Sequence, residues 1–527
     1  MSSTRDVVVI GAGPTGLALA IALRVYGLDV LVVDRSADTK HEPRASVIWQ
    51  RAQETLRDLG CADAIVARGL RLRQGEFRVR GRVAGVQEME MEHTGFPGPL
   101  AIEQDAVEAL MRDRLQELGT EVRWSTEGIG VQVGAEGAQV DLRGPDGRVR
   151  TVGAHWVVSC EGSRSLVRRT LGIPFDGERR TNLQCVQLNA RPRWGQPYRA
   201  DVTQIFINHR VTLVAGPVPG GATRFYAFLP DPDPDRWEPP SVPEMEAVVA
   251  AATGEPVVGL EPSEPRWANR ARFHDRIAGR LREGRALLVG DSAHVWAPIG
   301  GRGLNTGLLG AHNLGWKLAA VHYGWAPDAL LDTYDSEQRR TARSVMRAMR
   351  RNVVELPPNR ATFAAIRLLL PLMMSSDRIV RRGADRLSDF ARDHRASGLS
   401  AGRRGLWGGP GPGDRLPDLP VTTDEGDRRL HDLLSYRQWT LLRIGADGGA
   451  AAGAVALRAL TRRYALPVAH LTVRPAAEQR RALPDGTLLL VRPDGHVGLR
   501  TGVGDLKAVT AYLDRWSCLR DTSGEAT

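Results

Sequence analysis

Two glycine-rich clusters, far apart in the chain, carry the residue types with the clearest chemistry. The first is Gly11-Ala12-Gly13-Pro14-Thr15-Gly16, which follows the apolar run Val7–Ile10 and leads into another apolar segment from Leu17. A strand that turns tightly into a helix leaves free N–H groups and a partial positive charge at the helix start, which suits a pyrophosphate. Gly11 permits the turn, Gly13 lets a ligand approach the backbone, and Gly16 lets helix and strand pack closely. Pro14 and Thr15 complete the loop. Asp34, with Arg35 beside it, closes the next apolar strand roughly 20 residues on, where a carboxylate can accept hydrogen bonds from an adenosine ribose. An adenine dinucleotide fits, but this cluster alone does not separate FAD from NAD. The second cluster runs from Arg285 through Gly290-Asp291-Ser292-Ala293-His294 to Pro298, Gly301, Arg302, Gly303, Leu304 and Asn305. An aspartate at the end of a buried strand suits a polyol hydroxyl. The glycine loop after it brings main-chain N–H groups to a second helix start, suited to negative charge developing on an electron-rich ring. A ribityl chain and such a ring point to FAD. His294 is read as a structural residue in preference to a catalytic base.

These residues need strands and helices in alternation to hold them. The pattern predicts a buried parallel strand over 7–10, a helix over Leu17–Tyr26 and a second strand over Asp29–Val33. Helices are expected at Arg51–Gly60 and Asp105–Gly119, then a β meander over Glu121–Val158 with a turn at Pro145-Asp146-Gly147. Residues 176–272 are rich in strand-like pieces and proline, which marks a β-rich substrate domain. Residues 273–350 return to strand, glycine loop and long helix. The apolar stretch Phe363–Met374 contains Arg367 and Pro371 and is read as a buried helix, too short for a membrane span. The domain plan is a first FAD-binding part (1–175), the substrate domain (176–272), a second FAD-binding part with long helices (273–395), a Gly/Arg/Pro-rich linker (396–420) and a small C-terminal α/β unit (421–527). Within that unit Trp439–Ile444, Val468–Val473 and Thr487–Val491 read as strands, with an alanine-rich helix between the first two and a final helix at Leu506–Trp516.

Composition closes off several classes. With 42% hydrophobic and 25% charged residues in 527, the chain has the make-up of ordinary globular proteins. The net charge of +10 is almost wholly arginine, since the only lysines are Lys40, Lys317 and Lys507. The arginines are scattered, so no nucleic-acid face is expected, and anionic small ligands remain natural partners. Cys61, Cys160, Cys185 and Cys518 form no CxxC, and neither a disulfide framework nor a metal site is expected. The N-terminus runs straight into a strand with no signal-peptide pattern, which predicts a cytoplasmic protein.

Three stretches in order resemble the class A flavin monooxygenases, the para-hydroxybenzoate hydroxylase family. They are the first glycine cluster, Cys160-Glu161-Gly162-Ser163-Arg164-Ser165, and Gly290-Asp291-Ser292-Ala293-His294 with Gly300–Gly307. Pro43–Arg51, Ile102–Val107, Ala311–Lys317 and the extra C-terminal unit look like the actinobacterial hydroxylases of aromatic polyketide tailoring. The resemblance implies an α/β fold: an FAD-binding Rossmann-like domain, a β-rich substrate domain and a C-terminal thioredoxin-like domain. It implies that Asp34 holds the adenosine ribose, that Asp291 binds the ribityl chain, and that Arg44 and Gln104 also touch FAD. Gly301 to Asn305 would set main-chain N–H groups at the pyrimidine edge of the flavin. Glu161 stands where the family has aspartate, and its longer reach argues against a direct cofactor or NAD(P)H contact. Arg302 replaces a common glutamine and either adds charge beside the pyrimidine edge or points to solvent. The implied chemistry is reduction of FAD by NADPH or NADH, capture of O₂ as a C4a-hydroperoxide, and transfer of one oxygen atom to a polycyclic aromatic substrate by a monomer or homodimer. The cofactor does that chemistry, so no triad is expected. Arg224 and Tyr226 alternate on one strand and are read as a plain solvated strand face in preference to residues that polarise a phenol or meet the nicotinamide. Baeyer–Villiger or epoxidising oxidation, rifampicin-type inactivation of an antibiotic, and a redox-silent FAD-binding protein are the alternatives. Without a CxxC, dithiol chemistry in the C-terminal unit is excluded.

Overall fold

The computed structural model describes residues 4–39, 45–231, 233, 235–264, 266–297, 299–350, 357–405, 408–445 and 450–520. Arg44 and Pro298 lie outside the described residues.

Val7, Val8, Val9 and Ile10 are all buried, as a strand covered on both faces must be. Their strand, Arg5–Ile10, pairs in parallel with Val30–Val33 on one side and Val149–Ser159 on the other. Ala286–Leu288 and Val122–Arg123 extend the parallel sheet outward. The two glycine clusters thus leave from the carboxyl ends of strands in one sheet, where open α/β sheets bind ligands. Helix Pro14–Val25 buries every residue from Gly16 to Leu23, consistent with a segment apolar all round. Helix Arg302–His322 packs beside it and is buried from Asn305 to Ala320. The strands Glu127–Val133 and Ala138–Arg143 fold back on Val149–Ser159 as the expected meander.

The second sheet has nine strands. Its long strand Phe175–Arg193 pairs with Ala222–Pro230 and Ala268–Ala278. One face, carrying Val186, Leu188, Phe225 and Ala227, is sealed by Met245 and Val249 of helix Val242–Thr253. The alternate residues turn to the opposite face, toward the flavin-type loops. This sheet also takes in Gln74–Val79 and Arg82–Glu88, from the stretch assigned to the first FAD-binding part. Gln74–Val79 pairs in parallel with Val202–Ile207, a contact between segments so distant in sequence that local patterning does not show it.

The C-terminal sheet orders Trp439–Ile444 and Val468–Pro475 in parallel, joined by helix Ala450–Thr461, then Thr487–Val491 and Val497–Gly502 antiparallel, then helix Leu506–Trp516. This βαβ–ββα order is thioredoxin-like. Residues 396–420 do not run free: Leu399 and Leu416 are fully buried, and Ala401–Gly402 adds to the sheet beside Leu499–Arg500. The helix Arg360–Met374 is not the buried one expected. Leu368 is 71% exposed and Leu372 66%, because only one side of the helix, with Phe363, Ile366, Leu370 and Met374, meets the strands around Ile205. Among the described residues no helix is long and apolar enough to cross a membrane.

Two buried ionic clusters dock the C-terminal unit. Arg492 donates to Glu337 at 2.8 and 3.1 Å, and Lys317 donates to Glu337 at 2.8 Å. Asp494 accepts from Trp316 at 3.0 Å and from Asn313 at 2.9 Å. Burial alone would raise the Glu337 carboxyl, but Arg492 and Lys317 outweigh it and hold it well below the usual carboxylate range. In the second cluster the fully buried Glu54 accepts from Arg51 and Arg415, each at 2.8 Å. Removing one member of such a cluster costs on the order of 3–5 kcal/mol, since an uncompensated buried charge remains.

Candidate active site

The nucleotide-type cleft forms where strand Arg5–Ile10 ends. Gly11 has φ +104°, and a Cβ there would lie 2.4 Å from the Cys160 carbonyl oxygen. A Cβ on Gly16 would lie 1.9 Å from the Gly11 carbonyl oxygen. Around Gly13 there is no atom within 4 Å of the position a Cβ would take. The first two glycines are therefore required by the fold, while Gly13 faces open space at the start of helix Pro14–Val25. That helix start has no side-chain cap and no acidic residue in its first turn, so its N–H groups stay available to an anion. Asp34 accepts from the Ala12 N–H at 2.7 Å and from the Ser36 N–H at 2.8 Å, which holds the carboxylate at the cleft wall with lone pairs to spare. Pro14, Thr15, Arg35 and Gln104 also line this cleft of about 540 Å³.

The second glycine cluster faces the first. Gly290–Ser292 forms a short helical turn after strand Ala286–Leu288 and leaves Asp291 exposed to the cleft. Gly300 and Gly301 take φ values of +69° and +62°, a double left-handed step that starts helix Arg302–His322. Thr15 lies against Gly290 and Gly307, whose Cβ positions would fall 2.7 and 2.4 Å from its hydroxyl, so it packs the two clusters together. The Asn305 side chain is fully buried and engaged: it accepts from the Trp49 N–H at 2.8 Å and donates to the carbonyls of Val47 and Gly301 at 3.0 and 2.7 Å. Trp49 closes the clasp by donating its indole N–H to the Gly300 carbonyl at 2.8 Å. Only the main chain of Asn305 is left for a ligand.

Arg302 corrects the sequence reading. It neither lines the cleft nor points to solvent: its guanidinium pairs with the buried Asp389 at 2.7 Å and with the Arg386 carbonyl. The loop start is thereby pinned to the end of helix Asp377–Leu387. Glu161 lines the nucleotide cleft, and its carboxylate accepts from the hydroxyls of Ser159 and Ser165 and the N–H groups of Leu166 and Val167 at 2.7–3.2 Å. Burial pushes His294 down to about 4, so its ring is neutral at pH 7, stacked on Trp296 at 4.8 Å.

A second cavity of about 540 Å³ lies between this loop and the exposed face of the nine-stranded sheet. Gln104, Asp291, Gly303 and Leu304 line both cavities, so the two meet where a flavin ring is expected. The walls are mainly apolar, among them Trp49, Leu72, Phe77, Met89, Val214 and Phe228. Tyr226 lines this cavity, and its hydroxyl lies 3.0 Å from that of Ser46. Arg224 lies behind it, and neither residue belongs to a solvated strand face. Arg224 is fully buried, donates to Asn189 at 2.6 Å and to Glu103 at 3.2 Å, and sits 4.3 Å from the Trp267 ring centre. Burial pushes the Glu103 carboxyl up against the pull of Arg224. The sequence reading passed over Ser46, Trp49, Glu103, Gln187 and Asn269. Ser46, Trp49 and Glu103 fall inside the family-like stretches Pro43–Arg51 and Ile102–Val107, and Gln187 and Asn269 carry a signal as polar residues on core strands.

The residues fit FAD. The open space at Gly13 and at Gly303, where again no atom lies within 4 Å of a Cβ position, gives two backbone approaches, one for a pyrophosphate and one for a ring edge. Asp34 and Asp291 stand at either end as acceptors.

The FAD binding domain model matches residues 4–349, and the aromatic-ring hydroxylase C-terminal model matches residues 409–518. The chain is 33% identical over 499 residues to the 12-dehydrotetracycline 5-monooxygenase/anhydrotetracycline 6-monooxygenase of Streptomyces rimosus subsp. rimosus, covering 93% of this chain and 94% of the relative. It is 30% identical over 527 residues to a dialkyldecalin synthase of Streptomyces rugosporus, covering 98% and 99%. Aklavinone-11 hydroxylase, solved with FAD and aklavinone, superposes with a TM-score of 0.77 at 26% identity, covering 98% of this chain and 99% of that one. With its glycine clusters set around one two-part cleft and both family models matched, the chain belongs to the class A flavin monooxygenases, the FAD-dependent aromatic-ring hydroxylases.

Proposed function

We propose that the protein hydroxylates a polycyclic aromatic, polyketide-type substrate in natural-product tailoring. One observation carries this reading: a mainly apolar cavity of about 540 Å³ adjoins the nucleotide cleft and shares Gln104, Asp291, Gly303 and Leu304 with it. A volume within the roughly 300–1,000 Å³ of small-molecule sites suits a fused-ring compound. Bound FAD, reduced by NADPH or NADH, supplies one oxygen atom from O₂ to the ring. The chain's own residues hold and shield. The first-turn N–H groups of helix Pro14–Val25 receive the pyrophosphate, Asp34 the adenosine ribose and Asp291 the ribityl hydroxyls. Main-chain N–H groups from Gly301 to Asn305 stabilise negative charge at the pyrimidine edge. Trp49, Leu72, Met89 and Phe228 exclude water from the reacting ring. Tyr226, positioned by Ser46, presents a hydroxyl to the substrate. Such an enzyme works in the cytoplasm, where NAD(P)H is supplied, as a monomer or homodimer with no nucleic acid.

The test is NADPH oxidation by the FAD-loaded protein against a panel of polycyclic phenols and quinones under ¹⁸O₂. Stimulated oxidation with one labelled oxygen in an intact carbon skeleton is the expected result. A cleaved or rearranged skeleton would move the assignment to Baeyer–Villiger or epoxidising chemistry. A flavin that NADPH never bleaches, with or without panel compounds, would leave a redox-silent binding protein.

A further inference from the structure

The substrate-facing side of the nine-stranded sheet carries one continuous row of side chains across six strands. In register, Asn269 stands beside Gln187, Gln187 beside Tyr226, Tyr226 beside Val214, Val214 beside Ile205, and Ile205 beside Phe77. All six line the cavity. The row is polar at one end and apolar at the other, with Tyr226 at the junction. Strand spacing of about 4.8 Å makes the polar arm, from Asn269 to Tyr226, about 10 Å long and the apolar arm, from Tyr226 to Phe77, about 14 Å long.

Gln187 is only 4% exposed, yet its side-chain amide makes no hydrogen bond among the described residues, and neither does that of Asn269. Asn269 is half-buried, and both amides are open to the cavity, so a ligand that fills it and excludes water must pair with them or leave them at a desolvation penalty. Both amides face the cavity, so their partner is what enters it. Each offers an N–H₂ donor and a carbonyl acceptor. The N–H₂ donors match a ring carbonyl and the adjacent hydroxyl oxygen, which both accept hydrogen bonds even when the hydroxyl proton is bonded internally to the carbonyl.

Resting on the hydroxylase reading above, we propose that this row sets the direction of the substrate. The oxygenated edge of the ring system, carrying adjacent hydroxyl and carbonyl groups, lies against Gln187 and Asn269, and the oxygen-poor end lies against Val214, Ile205 and Phe77. Reversing the substrate end for end leaves both amides unpaired and buries the oxygens on apolar side chains. The two directions are therefore unequal, and one end of the molecule is presented to the flavin.

The test uses the FAD-loaded protein and two probes of similar outline, 1,8-dihydroxyanthraquinone and anthracene, with binding read from the perturbed flavin absorbance. The wild-type protein is expected to prefer the quinone by at least about tenfold. Gln187→Leu/Asn269→Leu should weaken quinone binding by about 10- to 100-fold, roughly tenfold for each hydrogen bond lost, while anthracene binding holds or tightens. If the double variant loses its flavin, the near-isosteric Gln187→Met alone should give about tenfold. Variants that retain FAD and the wild-type preference would overturn the proposal. So would a wild-type protein that binds both probes equally although quinones stimulate its NADPH oxidation. If no polycyclic compound perturbs the flavin or stimulates oxidation, the hydroxylase reading fails first and this inference with it.

Discussion

Replacing the three clustered glycines by alanine separates what the fold needs from what the cofactor needs. Gly13 has φ −70° and ψ −179°, an extended conformation open to any residue, and its Cβ would touch nothing. Gly13→Ala should therefore change apoprotein stability by less than about 1 kcal/mol, the scale of a weak N-cap exchange. The methyl group would instead occupy the space through which a pyrophosphate reaches the first-turn N–H groups. Losing one charge-assisted hydrogen bond there costs about 1.5–3 kcal/mol, so the FAD dissociation constant should rise at least about tenfold. Gly11→Ala and Gly16→Ala behave differently. Their Cβ atoms would lie 2.4 and 1.9 Å from main-chain oxygens, and Gly11 also has φ +104°. Backbone cannot give way as a flexible side chain can, so each should cost the apoprotein several kcal/mol, on the order of an overpacked core with backbone strain added. Urea melts of the deflavinated proteins and FAD fluorescence titrations read the two quantities independently. If Gly13→Ala binds FAD as tightly as wild type, or melts as early as Gly11→Ala, the cleft has been assigned to the wrong ligand.

Two further outcomes follow from the buried charges. Arg302→Met should lower stability by about 2–4 kcal/mol, because the buried Asp389 loses its closer counter-charge and keeps Arg392 at 3.4 Å, yet retain wild-type FAD content; a loss of flavin with unchanged stability would return Arg302 to the cofactor site. Burial pushes both His431 and His496, in the C-terminal unit, down to about 4. Unfolding releases them to about 6.5, so the stability this neutral burial preserves is complete above that pH and falls away as pH drops toward 4. Each should lower unfolding free energy by about 2 kcal/mol between pH 7 and pH 5, and a urea midpoint that is flat across this window would refute it.

How legible each part was depends on how local it is. Gly11 to Asp34 lie in one strand–helix–strand unit, and Asp291 to Asn305 in another, so spacing alone exposed them. Arg224 and Tyr226 were rightly placed on one strand face, but whether that face is wet depends on what covers it. The cover is Glu103, which reaches Arg224 across 121 residues of sequence. The row from Asn269 to Phe77 needs five strand pairings, and no window of sequence contains them. Arg302 sits inside a legible motif, yet its partner Asp389 lies 87 residues on, outside any local pattern. The helix Arg360–Met374 looked buried by composition, and an apolar segment does not by itself state which of its sides finds a partner.

The clasp between Glu337 and Arg492 also imposes an order of assembly on the newly made chain. Arg492 is translated 155 residues after Glu337, about 10–30 s later at roughly 5–20 residues per second. Among the described residues, those lining the nucleotide cleft lie at or before Leu304, and those lining the second cavity at or before Leu387. Both cavities are thus synthesised while Glu337 still lacks Arg492. FAD can load onto the nascent protein first, and the C-terminal unit then locks behind it.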